Sequence, residues 1–205
     1  MWINRAFELD EISIYHISIS FMNVNNLILA KIKDYPKGCI FAIDGPSGAG
    51  KTTLAAQISE VIDCNIIHAD DFFLQEGQEM SLPDVSLDAI RLEQEVLVKL
   101  KTNPHSLIYN KYNCLTQKIT PITITPKPIT IIEGCYSTSP NLRQYYDFFV
   151  FLDIDKETQL KRIKKRNPDK YERFATEWIP LEDKYFGRYN LRNESKKEPN
   201  LLINS

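Results

Sequence analysis

Short runs of almost unbroken apolar residues alternate along the chain with stretches in which apolar residues recur every three or four positions. "GCIFAIDG" is apolar on both strand faces and predicts a buried strand. "KTTLAAQISEVID" then places Leu54, Ile58, Val61 and Ile62 on one helical face. "NIIHAD" predicts a second strand that closes on Asp70-Asp71. "SLDAIRLEQEVLVKLK" predicts a helix started by Ser86 or Asp88, with an apolar stripe through Ile90, Leu92, Leu97 and Leu100. "SLIYNKYN" follows as a strand. "KITPITITPKP", with three prolines among β-branched residues, reads as an edge ribbon or extended loop. "ITIIEG" and "DFFVFLD" are further buried strands, and "KETQLKRIKKR" and "ERFATEWIPLEDKYFGRYN" are charged amphipathic helices. Strands alternating with helices predict an α/β fold with a mostly parallel sheet.

Composition narrows this little further. A chain of 205 residues holds one sizeable core and is short for two domains. With 25 Lys and Arg against 27 Asp and Glu the formal charge is -2, so no global basic field points to a nucleic acid or an anionic membrane. "ISIYHISISF" (12–21) alternates like a strand and is too short and polar to span a bilayer. Residues 1–21 are read as an N-terminal extension, either an added edge strand or a segment upstream of a start at Met22, and 22–205 as a single domain. Cys39, Cys64, Cys114 and Cys135 form no C-x-x-C pair, and with three scattered histidines they give no metal-ligand spacing. They read as buried free thiols, which suits a reducing cytoplasm. Trp2, Trp178 and the many tyrosines are assigned to core or interface.

The chemistry starts at "GPSGAGKTT". Gly45, Gly50, Lys51 and Thr52 complete G-x-x-x-x-G-K-[ST], with a strand before and a helix after. The backbone of Gly45, Pro46, Ser47, Gly48, Ala49 and Gly50 can curl so that its N–H groups cradle phosphate, assisted by the following helix N-terminus. Lys51 would bridge β- and γ-phosphate oxygens, and the Thr52 hydroxyl, followed by Thr53, would take a place on Mg²⁺. The stretch therefore predicts a site for a nucleoside triphosphate, ATP or GTP.

In an open α/β sheet the ligand crevice lies outside the carboxyl ends of the strands. Asp70 and Glu133 both sit at such ends. Asp70 suits a base for an acceptor hydroxyl and Glu133 an outer ligand of the metal; a helix cap or turn carboxylate is the structural alternative for each. Arg162, Arg166 and Arg173 are candidate phosphate-binding forks; the first two, four apart, share a helix face, and the alternative is a solvated basic face with Lys161, Lys164 and Lys165.

At "IDGPSGAGKTT…IHADDFFL" the chain resembles the uridine kinase branch of the P-loop kinases, with its strand-ending D-[SD]-F-[YF] motif. "ITPKPITIIEGCYSTSPNLRQYYDFFVFLDIDKETQLKRIKKRN" resembles the small bacterial uridine-kinase-like proteins, with an EG-x-Y turn, "YYD…VFLD" and an arginine-bearing lid. "ERFATEWIPLEDKYF" is similar to their C-terminal helix. The likeness runs from about Cys39 to Asn190. It implies a P-loop NTPase fold, three layers α/β/α with a five-stranded, mostly parallel sheet and a helical lid. It also implies Asp70 as the catalytic carboxylate beside Lys51 and Arg166, Arg162 near the donor, and Phe73, Asp88, Tyr112, Glu133 and Arg173 around the acceptor, with Asp84 competing for the place of Asp88. The chain departs from the family where Asn113 follows Tyr112 and where Cys114, Leu115 and Thr116 replace a base-reading histidine. The implied activity is Mg²⁺-dependent phosphorylation of a primary hydroxyl, the 5′-OH of a nucleoside first. Pantothenate and sugar-phosphate kinases, a non-catalytic nucleotide-binding regulator and a polynucleotide 5′-kinase stand as alternatives.

Overall fold

Five strands assemble in the order β2-β5-β1-β6-β7, every neighbouring pair parallel. They are β1 (Cys39–Asp44), β2 (Cys64–His68), β5 (Ile129–Glu133), β6 (Phe148–Asp153) and β7 (Leu201–Asn204). The computed structural model describes residues 24–102 and 104–205. The chain divides into two units, Met1–Gly38 and Cys39–Ser205. In the first, a helix (α1) covers residues 24–32 and turns lead on to Gly38. The strand and extension read over residues 1–21 lie outside the described residues.

The second unit holds the sheet. Its central strands, "CIFAID", "ITIIE" and "FFVFLD", are buried almost throughout, as continuous apolar runs require when both faces are covered. Helix α2 (Lys51–Ser59) follows β1 and packs on β1, β2 and β5. Its apolar face is Leu54, Ala55 and Ile58; the helix stops at Ser59, so Val61 lies beyond its last turn and is exposed rather than part of the stripe. Helix α3 runs Ala89–Leu92, Glu93–Leu97 and Val98–Lys101 without a break, its middle wound as a π turn. Asp88 caps it by accepting from the Arg91 N–H at 3.1 Å. Leu92, Val96 and Leu97 enter the core, whereas Ile90 is half exposed.

The proline-bearing ribbon becomes β4 (Lys118–Ile124), antiparallel to β3 (Leu107–Asn113) in a separate hairpin. After β6 come α4 (Lys156–Arg166), α5 (Tyr171–Arg173, Phe174–Trp178 and Ile179–Arg188, again with a π turn) and the short α6 (Leu191–Glu194). With helices around a parallel sheet, the unit is a three-layer α/β/α P-loop fold. A core of Ile132, Phe151, Leu92, Val96, Tyr185 and Phe186 joins sheet, α3 and α5; each such large side chain contributes about 1.5–3 kcal/mol by burial. Three of the four cysteines are buried free thiols, but Cys114 is exposed because it sits in the hairpin turn. Among the described residues no helix is long and apolar enough to cross a membrane.

Strand register brings the acids toward the glycine loop. Glu133 lies beside Ile43 of β1 on one side and beside His68 of β2 on the other. The carboxyl ends of three strands therefore share one edge of the sheet.

Candidate active site

The loop leaving β1 begins at Asp44, which is fully buried. Its two oxygens accept five hydrogen bonds: from the Gly45 N–H (2.7 Å), the Tyr136 N–H (3.2 Å), the Thr138 N–H (2.9 Å), the Thr138 hydroxyl (2.6 Å) and the Tyr185 hydroxyl (3.0 Å). One side chain thus ties the start of the loop to the turn after β5 and to α5. Burial pushes the Asp44 carboxyl above the usual range, while its Thr138 bonds and Lys51 pull it down. Gly45 is required here: its φ is +143°, and a Cβ would lie 2.2 Å from the Leu152 carbonyl oxygen.

Within the loop, Lys51 Nζ donates to the carbonyls of Gly45 (2.7 Å) and Pro46 (3.0 Å). Ser47 is held from two sides. Its N–H and hydroxyl donate to the two oxygens of Glu182 on α5 at 3.0 and 2.5 Å, and its carbonyl accepts from Gln159 of α4 at 3.0 Å. Arg162 donates to the Gly48 carbonyl at 3.2 Å. Burial lifts the Glu182 carboxyl above its ordinary range, with Lys51 and the two bonds from Ser47 opposing.

At the first turn of α2, the Thr52 hydroxyl lies 3.2 Å from each oxygen of Glu133, which is buried at the end of β5. His68 Nδ1 lies 2.5 Å from Glu133 Oε1, and this bond raises the imidazole pKa. A hydroxyl and a carboxylate are hard oxygen donors of the type that suits magnesium. Among the described residues no cluster of three His, Cys, Asp or Glu side chains forms a cage of its own, so a metal here would draw its remaining ligands from phosphate and water.

β2 ends at His68, and a 3₁₀ turn, Ala69–Phe72, carries the acids. Asp71 turns inward to Lys111 Nζ (2.8 Å) and the Tyr109 hydroxyl (3.2 Å). Asp70 lines a cleft, and its carboxyl makes no hydrogen bond or ion pair among the described residues. The surrounding protein raises its pKa by desolvation; Lys51 opposes this and Glu133 adds to it.

The cleft has a volume of about 650 Å³. Ser47, Gly48, Gly50, Lys51, Thr52, Thr53, Asp70, Phe73, Tyr112, Glu133, Arg166 and Arg173 all border it. Gly45, Pro46 and Ala49 shape the loop from outside the lining, and Arg162 braces Gly48. Asp88 does not reach the cleft: it caps α3 and accepts from Gln78 at 2.7 Å. Its rival Asp84 pairs with Arg188 at 2.6 Å, also away from the cleft. Asn113 folds the hairpin turn by accepting from the Leu115 and Thr116 N–H groups. Trp178, assigned to core or interface from the sequence, borders the cleft with Phe174, Cys114 and Tyr136.

Several site residues escape sequence reasoning. Asp44, Glu182 and Gln159 act through partners 92 to 141 positions away. Arg91 bridges the Asp71 carbonyl (3.0 Å) and the Asn110 carbonyl and lies over the Phe72 ring, 4.7 Å from its centroid. The one local signal among them is Asp44 itself, an acid at a strand end directly before the glycine loop.

No family model matches the chain. It is 30% identical over 176 residues to the uridine kinase of Borrelia duttonii, covering 80% of this chain and 85% of that protein. The uridine kinase of Borrelia turicatae is 29% identical over the same length and coverage. Among solved structures, that of a possible uridine kinase from Bacillus stearothermophilus superposes with a TM-score of 0.61 over 92% of this chain and 99% of that one, at 21% identity.

Proposed function

The chain belongs to the uridine-kinase-like P-loop kinases, and from that premise we propose that it transfers the terminal phosphoryl group of ATP or GTP to a primary hydroxyl of a small molecule, the 5′-OH of a nucleoside being the best supported acceptor. The observation that carries this reading is Asp70: a carboxylate with no partner among the described residues, opening on the same cleft as Lys51, Thr52 and Glu133. In the reaction Asp70 takes the acceptor's hydroxyl proton, the acceptor oxygen bonds to the γ-phosphorus, and the bond to the β-phosphate oxygen breaks to leave the diphosphate. Lys51 and the arginines Arg166 and Arg173 neutralise charge on the transferring group. Thr52 and Glu133 would hold magnesium, which offsets charge between the β- and γ-phosphates. Phe73, Tyr112, Phe174 and Trp178 supply flat apolar surface for a planar base.

A carboxylate that has no partner among the described residues and shares one cleft with Lys51, Thr52 and Glu133 supports an enzyme over a nucleotide-binding regulator. The acceptor end is where the chain departs from its family, at Asn113 and Cys114. A panel of uridine, cytidine, purine nucleosides, pantothenate and sugar phosphates, followed by diphosphate release with Mg²⁺ and ATP or GTP, tests the reading. Nucleoside-dependent release supports it. Release with pantothenate or a sugar phosphate alone replaces the acceptor, and nucleotide binding without release from any acceptor overturns catalysis.

A further inference from the structure

The phosphate loop of this protein is already engaged by its own side chains. Ser47, whose N–H belongs to the loop that would cradle phosphate, donates that N–H and its hydroxyl to the two oxygens of Glu182. Glu182 is only 4% exposed and yet borders the cleft. Across the loop, Lys51 Nζ is bound to the Gly45 and Pro46 carbonyls. An anion therefore sits on a loop amide, and the cation is turned onto the loop's own backbone. The anion comes from α5, the helix that also carries Arg173 and Trp178 on the cleft wall. Gln159, holding the Ser47 carbonyl, comes from α4, which carries Arg162 and Arg166.

We propose that Glu182 is an internal competitor for the phosphate loop, a positioning residue that the donor's terminal phosphate must displace from Ser47, so that loop occupancy is coupled to the helix bearing Arg173. The proposal rests on the reading of this loop as a triphosphate site. Its physical basis is charge. A buried carboxylate beside the loop repels every phosphate that enters, and the triphosphate brings one more negative charge than the diphosphate. Glu182 thus lowers affinity for the triphosphate more than for the diphosphate. Release of Glu182 also frees the hydroxyl of Ser47 at the edge of the cleft.

Glu182→Gln isolates the charge. The amide is nearly isosteric, its oxygen still accepts the Ser47 N–H, and its NH₂ donates to the Ser47 hydroxyl in place of the original bond. Titration calorimetry of the full chain with MgATP and MgADP then reads the coupling. Removing this charge tightens both nucleotides; for a separation of about 10 Å and an effective dielectric of about 20, the extra charge of the triphosphate makes the gain on the order of tenfold larger for MgATP than for MgADP. A solely structural role for Glu182 would instead weaken both nucleotides together. That result, or an MgATP affinity unchanged from the wild type, overturns the proposal. Should Glu182→Gln fail to fold, Ser47→Ala removes the 2.5 Å hydroxyl bond and leaves the backbone one; it should tighten MgATP by about threefold with the same bias over MgADP. A wild-type protein that binds neither nucleotide sinks the donor reading first and this inference with it. Wild-type binding with no gain in the variants sinks this inference alone.

Discussion

Asp70 and Asp71 are neighbours in the chain but face different chemistry: Asp71 closes on Lys111 at 2.8 Å inside the protein, while Asp70 opens on the cleft with no hydrogen-bond partner among the described residues. The 3₁₀ turn that holds them explains the split, since successive residues there point about 120° apart. The inward acid is tied through Lys111 and Tyr109 to β3, and Arg91 joins the Asp71 carbonyl to the Asn110 carbonyl on the same strand. Glu95 completes the anchorage by accepting from the Asn110 N–H at 2.6 Å. One acid thus faces the cleft while the other holds the turn and hairpin in place.

If Asp70 is the base, Asp70→Asn should lower kcat by about 10²–10⁴ with MgATP binding retained. The pH profile carries the sign. Desolvation raises this carboxyl, and only its ionised form takes a proton, so wild-type activity should fall as pH drops through a pKa above the ordinary carboxylate range. Stability runs the other way: the group's contribution is present below its unfolded pKa and lost as pH rises through the folded one. Asp70 is exposed on the cleft, so solvent screens the effect, and Asp70→Asn should melt at or slightly above wild type near neutral pH, an advantage that disappears in acid. Steady-state rates and thermal scans across pH check both, and full activity in the variant would remove the assignment.

Asp71→Ala should act through geometry. It leaves the Tyr109 hydroxyl without its acceptor and Lys111, about half exposed, without its partner. A loss of about 1–3 kcal/mol in unfolding free energy is expected, below the full cost of a wholly buried pair because Lys111 regains water. Tyr112, Cys114 and Gln117 of the hairpin border the cleft, so KM for the acceptor should rise more than KM for the nucleotide. Equal changes in both would show that the clamp does not shape the acceptor side.

The strands of the sheet are legible in the sequence where burial on both faces leaves continuous apolar runs, as in "CIFAID", "ITIIE" and "FFVFLD". The glycine loop is legible because its backbone demands particular residues at fixed spacing. Val61 misleads because helical periodicity continues past the residue where the helix stops. β7 escapes because four residues, Leu201–Asn204, carry too little pattern to be told from a terminal tail, and pairing with β6 makes them a strand. The site divides in the same way. Lys51, Thr52, Asp70 and Glu133 stand next to the elements that aim them. Ser47 and Glu182 are 135 positions apart, and nothing local marks either as the other's partner. Asp88 draws attention as an acid, but a residue three before an N–H at a helix start is equally suited to cap it, and that is the place it takes.

Gly134 follows β5 directly and lies against the turn after β2 that carries Asp70. Its φ is +143°, and a Cβ there would stand 2.7 Å from the Ala69 Cβ. Gly134→Ala should cost about 2–4 kcal/mol through backbone strain and overlap combined. Ala69→Gly in the same chain relieves the overlap but not the strained φ. A double-mutant cycle by denaturant unfolding should show a favourable coupling of about 1 kcal/mol. Strict additivity would mean that the two residues do not press on each other.

The two arginines of α4 should separate functionally although they share a helix face. Arg166 borders the cleft, its Nε bonded to Asn167 Oδ1 at 2.8 Å, whereas Arg162 lies outside the lining and reaches the Gly48 carbonyl at 3.2 Å. If Arg166 meets the transferring phosphoryl group, Arg166→Ala should lower kcat on the order of 10²-fold with little change in nucleotide affinity, because the interaction belongs to the transition state. Arg162→Ala removes an exposed brace from the loop, so KM for ATP should rise about two- to fivefold while kcat moves less than about threefold. Steady-state kinetics on the two variants read the difference. A reversed pattern, with kcat lost at position 162 and kept at 166, would exchange the two roles and place the transferring group beside Gly48, the loop residue that Arg162 reaches.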